Sequence, residues 1–274
     1  MPSYSPTTDA GRDALTALVA NPAGSLLALD FDGTLAPIVD EPSHAHVHPR
    51  SVAALARLGA RLGQIAVITG RPVETALRLG GFTGISGLER MVILGQYGVE
   101  RWDAATGEIM LPPVPAAIAD LAGSLPAWLA ERDAAGVRIE DKGRALVLHT
   151  RGLPDADGLI DRLFQSVAEL AGSRGLVAEP GRQVIEIRNG TMDKGVALRG
   201  IVEETGVRNI LYAGDDLGDL PAFNEVEVLR GQGLTALLVC SASVEQDALL
   251  AHSDLVLNGP DAVADWLEEL ADGL

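Results

Sequence analysis

A chain of 274 residues, 47% of them hydrophobic, can bury one large core or two modest ones, so disorder is not its default reading. Its 38 Asp and Glu against 21 Lys and Arg give a net charge of -17, which repels phosphate backbones and anionic lipid and argues against nucleic acid or membrane partners. Cys240 is the only cysteine, ruling out an internal disulfide, and the N-terminal stretch lacks the basic start and apolar run of a secretory signal, so a cytoplasmic location is expected.

LLAL (26–29) reads as a buried strand that runs straight into Asp30 and Asp32, two positions apart around Phe31. Like charges at that spacing repel each other and gain little from burial unless something cationic sits between them. HAHVH (44–48) places three His at alternate positions, but no Cys or carboxylate stands ready to complete a zinc site, and the segment reads as an exposed loop. SVAALARLGARLG (51–63) shows helical spacing behind the N-cap Ser51, and QIAVITG (64–70) reads as a second strand. A helix over residues 73–79 and a strand in MVILGQYG (91–98) follow.

The middle of the chain differs. LPPVPAA leads into a helix, GVRIEDKGRALVLHTR (136–151) alternates as a hairpin turning at Lys142-Gly143, and LPDADGLIDRLFQSVAELAG adds another helix. Regular alternation then resumes with a helix over 193–206, a strand over 209–216 and a helix over 220–229. Strands at 234–240 and 253–258 and an acidic helix at 261–271 close the chain. Short apolar strands alternating with helices predict an α/β fold, a Rossmann-like parallel sheet covered on both faces. The expected division is a core of residues 1–102 and 186–274 with an inserted α+β domain of residues 103–185.

Open parallel sheets gather ligands outside the carboxyl ends of their strands. There the sequence places Asp30 and Asp32, then Thr69, then Asp215, Asp216 and Asp219, with Lys194 opening the helix before the last of these strands. Oxygen ligands from Asp30, Asp32 and Asp215 suit Mg²⁺, with Asp216 and Asp219 behind them. Asp30 is then the candidate nucleophile toward phosphorus, and Asp32 the acid that protonates the leaving alkoxide and later deprotonates water. Thr69 and Lys194 would hold the oxygens of the transferring group. Any one of these residues alone is an ordinary cap or turn former.

DFDGT (30–34), Thr69 in VITG, Lys194 in DKG and GDDLGD (214–219) resemble, in this order, the four motifs of the haloacid dehalogenase (HAD) superfamily. A response-regulator receiver uses a similar residue set, but here two acidic residues straddle Phe31 on the first strand and the chain is too long for a lone receiver. The long insert between Thr69 and Lys194 occupies the place of that superfamily's C2-type cap. With ILGQYGVER, IEDKGRALVLHTR and GRQVIEIRNGTMDKG, nearly the whole chain is similar to the trehalose-6-phosphate phosphatase family. The resemblance implies a sugar-facing cap carrying Glu140, Lys142, His149 and Arg151, with further sugar-side glutamates at Glu100 and Glu186. It also implies substrate contacts at Gly70, Arg71 and Gln96.

Three positions depart from the family pattern: Tyr97 stands where His is usual, and Gly218 and Leu220 where Thr and Glu are usual. Asp215, Asp216 and Asp219 are intact, so the departures bear on sugar recognition and keep another disaccharide or pseudo-disaccharide phosphate open as the substrate. The expected function is Mg²⁺-dependent hydrolysis of trehalose 6-phosphate, with a small-molecule sugar phosphate as partner and no obligate protein partner evident. The alternative of another class is a non-catalytic sugar-phosphate sensor.

Overall fold

The apolar run after residue 24 forms β1 (Ser25–Leu29), buried at every position, in a computed structural model that describes residues 4–181, 183–190, 192–242 and 247–274. It follows α1 (Asp9–Ala20), whose N-cap Thr8 accepts the Gly11 N–H at 3.1 Å. This helix has no counterpart among the expected elements. It buries only Gly11, Ala14 and Leu18, a stripe too narrow to stand out from the sequence. Next come α2 (Pro49–Gly59), β2 (Gln64–Ile68), α3 (Val73–Gly80), β3 (Met91–Gly95), β4 (Glu100–Asp103) and β5 (Ile109–Met110). A separate group follows, α4 (Ala116–Ala130), β6 (Arg138–Asp141), β7 (Ala145–His149), α5 (Ala156–Gly172), β8 (Val177–Gly181) and β9 (Val184–Arg188). The chain ends with α6 (Lys194–Thr205), β10 (Asn209–Gly214), α7 (Leu220–Gly231), β11 (Thr235–Ser241), α8 (Asp247–Leu250), β12 (Leu255–Leu257) and α9 (Gly259–Gly273).

Two compact units result, Met1–Leu111 with Asp193–Leu274, and Pro112–Met192. The larger holds an eight-stranded sheet of order β12-β11-β10-β1-β2-β3-β4-β5. Its pairs from β12 to β3 are parallel, while β4 and β5 continue it antiparallel. Leu27, Leu29, Val67, Ile93, Leu211 and Val239 pack with Leu55, Leu58, Val263 and Trp266 of the flanking helices. Strands buried on both faces explain the near-continuous apolar runs in the sequence.

The smaller unit is an antiparallel sheet of order β6-β7-β9-β8. Leu146, Leu148, Ile185 and Ile187 pack on Ile118, Leu121 and Leu125 of α4 and on Leu163 and Val167 of α5. Side chains alternate along a strand, so the other face carries Glu140, Val147, Glu186 and Glu179, which stand in register across the four strands. The expected hairpin is therefore half of a four-stranded sheet. The division also shifts from the expected boundaries, because β5 pairs with β4 in the large sheet while β9, with Glu186, pairs with β7 and β8 in the small one. Among the described residues, no helix is long and apolar enough to cross a membrane.

Candidate active site

Strand register gathers the expected polar residues at the carboxyl ends of the central strands of the large sheet. Leu29 of β1 pairs with Ala213 of β10 on one side and Val67 of β2 on the other. The Asp30 N–H donates to Ala213 O at 2.9 Å and the Thr69 N–H to Leu94 O at 3.0 Å, so Asp30, Thr69 and Asp215 leave neighbouring strands at matching levels. Lys194 begins α6 directly after its N-cap Asp193, which accepts the Val196 N–H at 2.8 Å. The buried Lys194 ammonium lies 2.6 Å from Asp30 Oδ1 and 2.8 Å from Asp219 Oδ1.

Asp219 accepts four hydrogen bonds. Oδ1 takes the Lys194 ammonium at 2.8 Å and the Tyr212 hydroxyl at 2.6 Å, while Oδ2 takes the N–H groups of Asp215 at 3.0 Å and Asp216 at 3.2 Å. Asp216 in turn caps the short turn that follows by accepting the Gly218 N–H at 2.8 Å. The two residues do cap the next element, yet Asp219 also fixes Lys194 and the backbone that carries Asp215.

Oxygens of Asp30, Asp215 and Asp219 lie within 4.8 Å of one another in a buried group that could hold a metal ion. Burial, then the charge of Asp219, pushes the Asp30 carboxyl well above the ordinary carboxylate range. Burial, then Asp219 and Asp216, pushes Asp215 up to about 8. Asp216 is raised as well, first by burial. Burial pulls Lys194 down, but Asp219 and Asp30 more than offset it, and its pKa stands well above the ordinary value. One ammonium does not neutralise this many carboxyl groups. Hard oxygen donors carrying excess negative charge fit a divalent cation.

Gly33 makes the arrangement possible. It sits at φ +74, and a Cβ there would come within 1.9 Å of Asp215 Oδ2. The Ser241 hydroxyl holds this turn by donating to Gly33 O at 2.6 Å. Gly33→Ala is expected to destabilise the protein by about 1–3 kcal/mol through left-handed strain and displacement of Asp215, checked by denaturant unfolding.

The Asp32 carboxylate stands outside the acidic group. Arg71, expected among the substrate contacts, grips it with Nε to Oδ2 at 2.6 Å and Nη2 to Oδ1 at 2.6 Å. At the end of β3, Gln96 (φ 49) and Tyr97 (φ 59) are successive left-handed non-glycine residues, and such strain concentrates at functional sites. The Tyr97 ring lies over Gly70, where a Cβ would come within 2.8 Å of its hydroxyl, and the Tyr97 N–H donates to Thr69 O at 2.9 Å. Gln96 is buried here, and the buried Glu100 caps α3 by accepting the Val73 N–H at 2.8 Å.

The remaining expected residues belong to the small unit. On its polar face Lys142 Nζ pairs with Glu186 Oε1 at 3.0 Å, and His149 Nε2 with Glu140 Oε2 at 2.7 Å. Burial lowers the His149 pKa, with the Glu140 hydrogen bond opposing. Arg151 follows β7 and is exposed.

The trehalose-phosphatase family model matches residues 28–255. This chain belongs to the trehalose-phosphatase family. A probable trehalose-phosphate phosphatase of Sinorhizobium fredii is 32% identical over 224 residues, spanning 81% of each chain. A Mycobacterium tuberculosis protein named as an uncharacterized glycosyl hydrolase is 35% identical over 211 residues, 72% of this chain but only 15% of that protein's length. Among solved structures, the C-terminal domain of C. albicans trehalose-6-phosphate phosphatase matches with a TM-score of 0.78 at 19% identity, over 99% of each chain. A haloacid dehalogenase-like hydrolase from Bacteroides thetaiotaomicron matches with a TM-score of 0.65 at 16% identity, over 89% of this chain and 98% of its own. Likeness at such identity shows the fold, and the fold is that of the HAD superfamily.

For this member of the trehalose-phosphatase family, the sequence motifs name the acidic residues but not what holds them. Tyr212 and Ser241 support Asp219 and Gly33 from β10 and β11. The one available signal is a hydroxyl placed inside or at the end of an otherwise apolar strand.

Proposed function

We propose that the protein is a Mg²⁺-dependent phosphatase that hydrolyses trehalose 6-phosphate to trehalose and phosphate through an aspartyl-phosphate on Asp30. The observation that carries this reading is the Lys194–Asp30 contact of 2.6 Å inside a buried group of carboxyls at the strand ends. Asp30 and Asp215 would hold the cation, with the Asp32 backbone carbonyl beside them. Asp219 is already occupied by four donors and acts from behind, with Asp216. When bound, the ion supplies positive charge to the carboxylates and to the phosphoryl oxygens.

Asp30 attacks phosphorus as the bond to the sugar oxygen breaks, and the Asp32 carboxyl gives that oxygen its proton. Asp32 then takes a proton from the water that attacks the acyl phosphate. Phosphate leaves and Asp30 is restored. Thr69 and Lys194 donate to the equatorial oxygens throughout.

The small unit is assigned as the cap that selects the sugar. Its polar face supports this, because the Lys142–Glu186 and Glu140–His149 pairs offer both donors and acceptors to a ligand rich in hydroxyls. Lys142→Ala is expected to raise KM for trehalose 6-phosphate about tenfold, and to affect the sugar-free substrate p-nitrophenyl phosphate less, checked by steady-state kinetics. The lone, buried Cys240 fits a reducing compartment such as the cytoplasm.

Phosphate release from a panel of sugar phosphates, with Mg²⁺ and with EDTA, tests the whole reading. Release from trehalose 6-phosphate in Mg²⁺ and none in EDTA is expected. Release from a different disaccharide phosphate would keep the chemistry and reassign the cap's ligand. A ligand-induced rise in Tm with no release from any ester would point instead to a sensor.

A further inference from the structure

In the reaction above, Asp32 must present its carboxyl to two oxygens in turn, the departing sugar oxygen and then the attacking water. Its side chain is 38% exposed, so solvent alone would leave it several rotamers. Arg71 removes that freedom. Two parallel N–H donors meet the two carboxylate oxygens at 2.6 Å each, the bidentate arrangement that fixes orientation as well as distance. Each carboxylate oxygen keeps a second lone pair for a proton or a water.

Arg71 is itself held from four sides. Its Nη1 donates to Pro42 O at 3.0 Å, and its guanidinium carbon lies 5.4 Å from the centroid of the Phe31 ring. Its own N–H donates to Thr69 Oγ1 at 3.1 Å, and its carbonyl accepts the Gln96 N–H at 3.0 Å. An ion pair on a free surface has none of this scaffolding and orients little. Lysine cannot reproduce the planar fork.

We infer that Arg71 is a positioning residue that holds the Asp32 carboxyl in place for both proton transfers and acts through Asp32 rather than by binding the sugar. This rests on the phosphatase reading, since the acid–base duty of Asp32 is what Arg71 serves. Because the same acyl phosphate forms from any ester, the loss should not depend on the sugar.

The test compares Arg71→Ala and Arg71→Lys with the wild-type protein on trehalose 6-phosphate and on p-nitrophenyl phosphate, in both the native and the Asp32→Asn background. In both variants kcat should fall about 10- to 100-fold on both substrates, with KM changed by no more than about twofold. In the Asp32→Asn background the Arg71 substitutions should add nothing. A rise in KM confined to the sugar substrate would overturn the inference and make Arg71 a sugar ligand. Full additivity with Asp32→Asn, or unchanged kcat in both variants, would overturn it as well. Should Arg71→Ala fail to fold by circular dichroism, Arg71→Lys keeps the charge and carries the comparison alone. Wild-type silence on both esters would instead bring down the phosphatase reading, and this inference with it.

Discussion

Asp30→Asn is expected to abolish phosphate release, lowering kcat by about 10⁴-fold or more, and to leave a folded protein. An amide oxygen cannot attack phosphorus to give an acyl phosphate, and neither Asp219, which is saturated, nor Asp32, which is gripped by Arg71, is free to replace it. The side chain keeps its volume, and Lys194 keeps its contact with Asp219 at 2.8 Å. The carboxyl that is lost is one that burial and the Asp219 charge already push well above its ordinary range. Thermal unfolding of metal-free protein should therefore show a Tm equal to or above that of the wild type. Single-turnover kinetics check the chemical loss, and substantial residual turnover in pure variant protein would sink the nucleophile assignment.

Stability and Mg²⁺ should trade places as pH rises. In the metal-free protein Asp215 titrates at about 8, against an ordinary value of 3.8. Its folded state holds the proton more tightly than the unfolded chain does. The associated stability is complete below the ordinary carboxylate range and is lost as pH climbs through about 8. Asp30 and Asp216 shift in the same direction. Asp155 and Glu268 shift the other way, lowered first by hydrogen bonds to Arg162 and Arg50, but they lie at the solvated surface and oppose the trend only weakly. A cation requires the ionised carboxylates, so Mg²⁺ binding would release protons and tighten with pH. Tm in EDTA should fall between pH 5 and 8, while the increase in Tm given by saturating Mg²⁺ should grow over the same range. A Tm in EDTA that climbs to pH 8, or a Mg²⁺ effect largest at pH 5, would show that these carboxyls do not share a cation.

Asp30 and Asp215 were visible in the sequence because each directly follows an apolar strand, where a buried charge is costly. The parallel order of the large sheet followed from the same strands and the helices between them. Contacts made across loops were not visible. Nothing in the spacing of Arg71 and Asp32 announces a bidentate pair, and nothing around Glu100 announces that it caps α3. The exact boundaries between the two units were not visible for a related reason. β9 is placed by a distant partner, Val147 for Glu186, and β5, only Ile109–Met110, is too short to read as a strand although it pairs with the neighbouring β4. Local pattern carries no information about such pairing.

Borohydride trapping during turnover of trehalose 6-phosphate with Mg²⁺, followed by peptide mass analysis, tests the nucleophile most directly. Hydride reduces an acyl phosphate to the alcohol, so residue 30 should be recovered in part as homoserine, and not when EDTA is present. Steady phosphate release with residue 30 recovered only as aspartate would mean that phosphate leaves the sugar without ever being bound to Asp30.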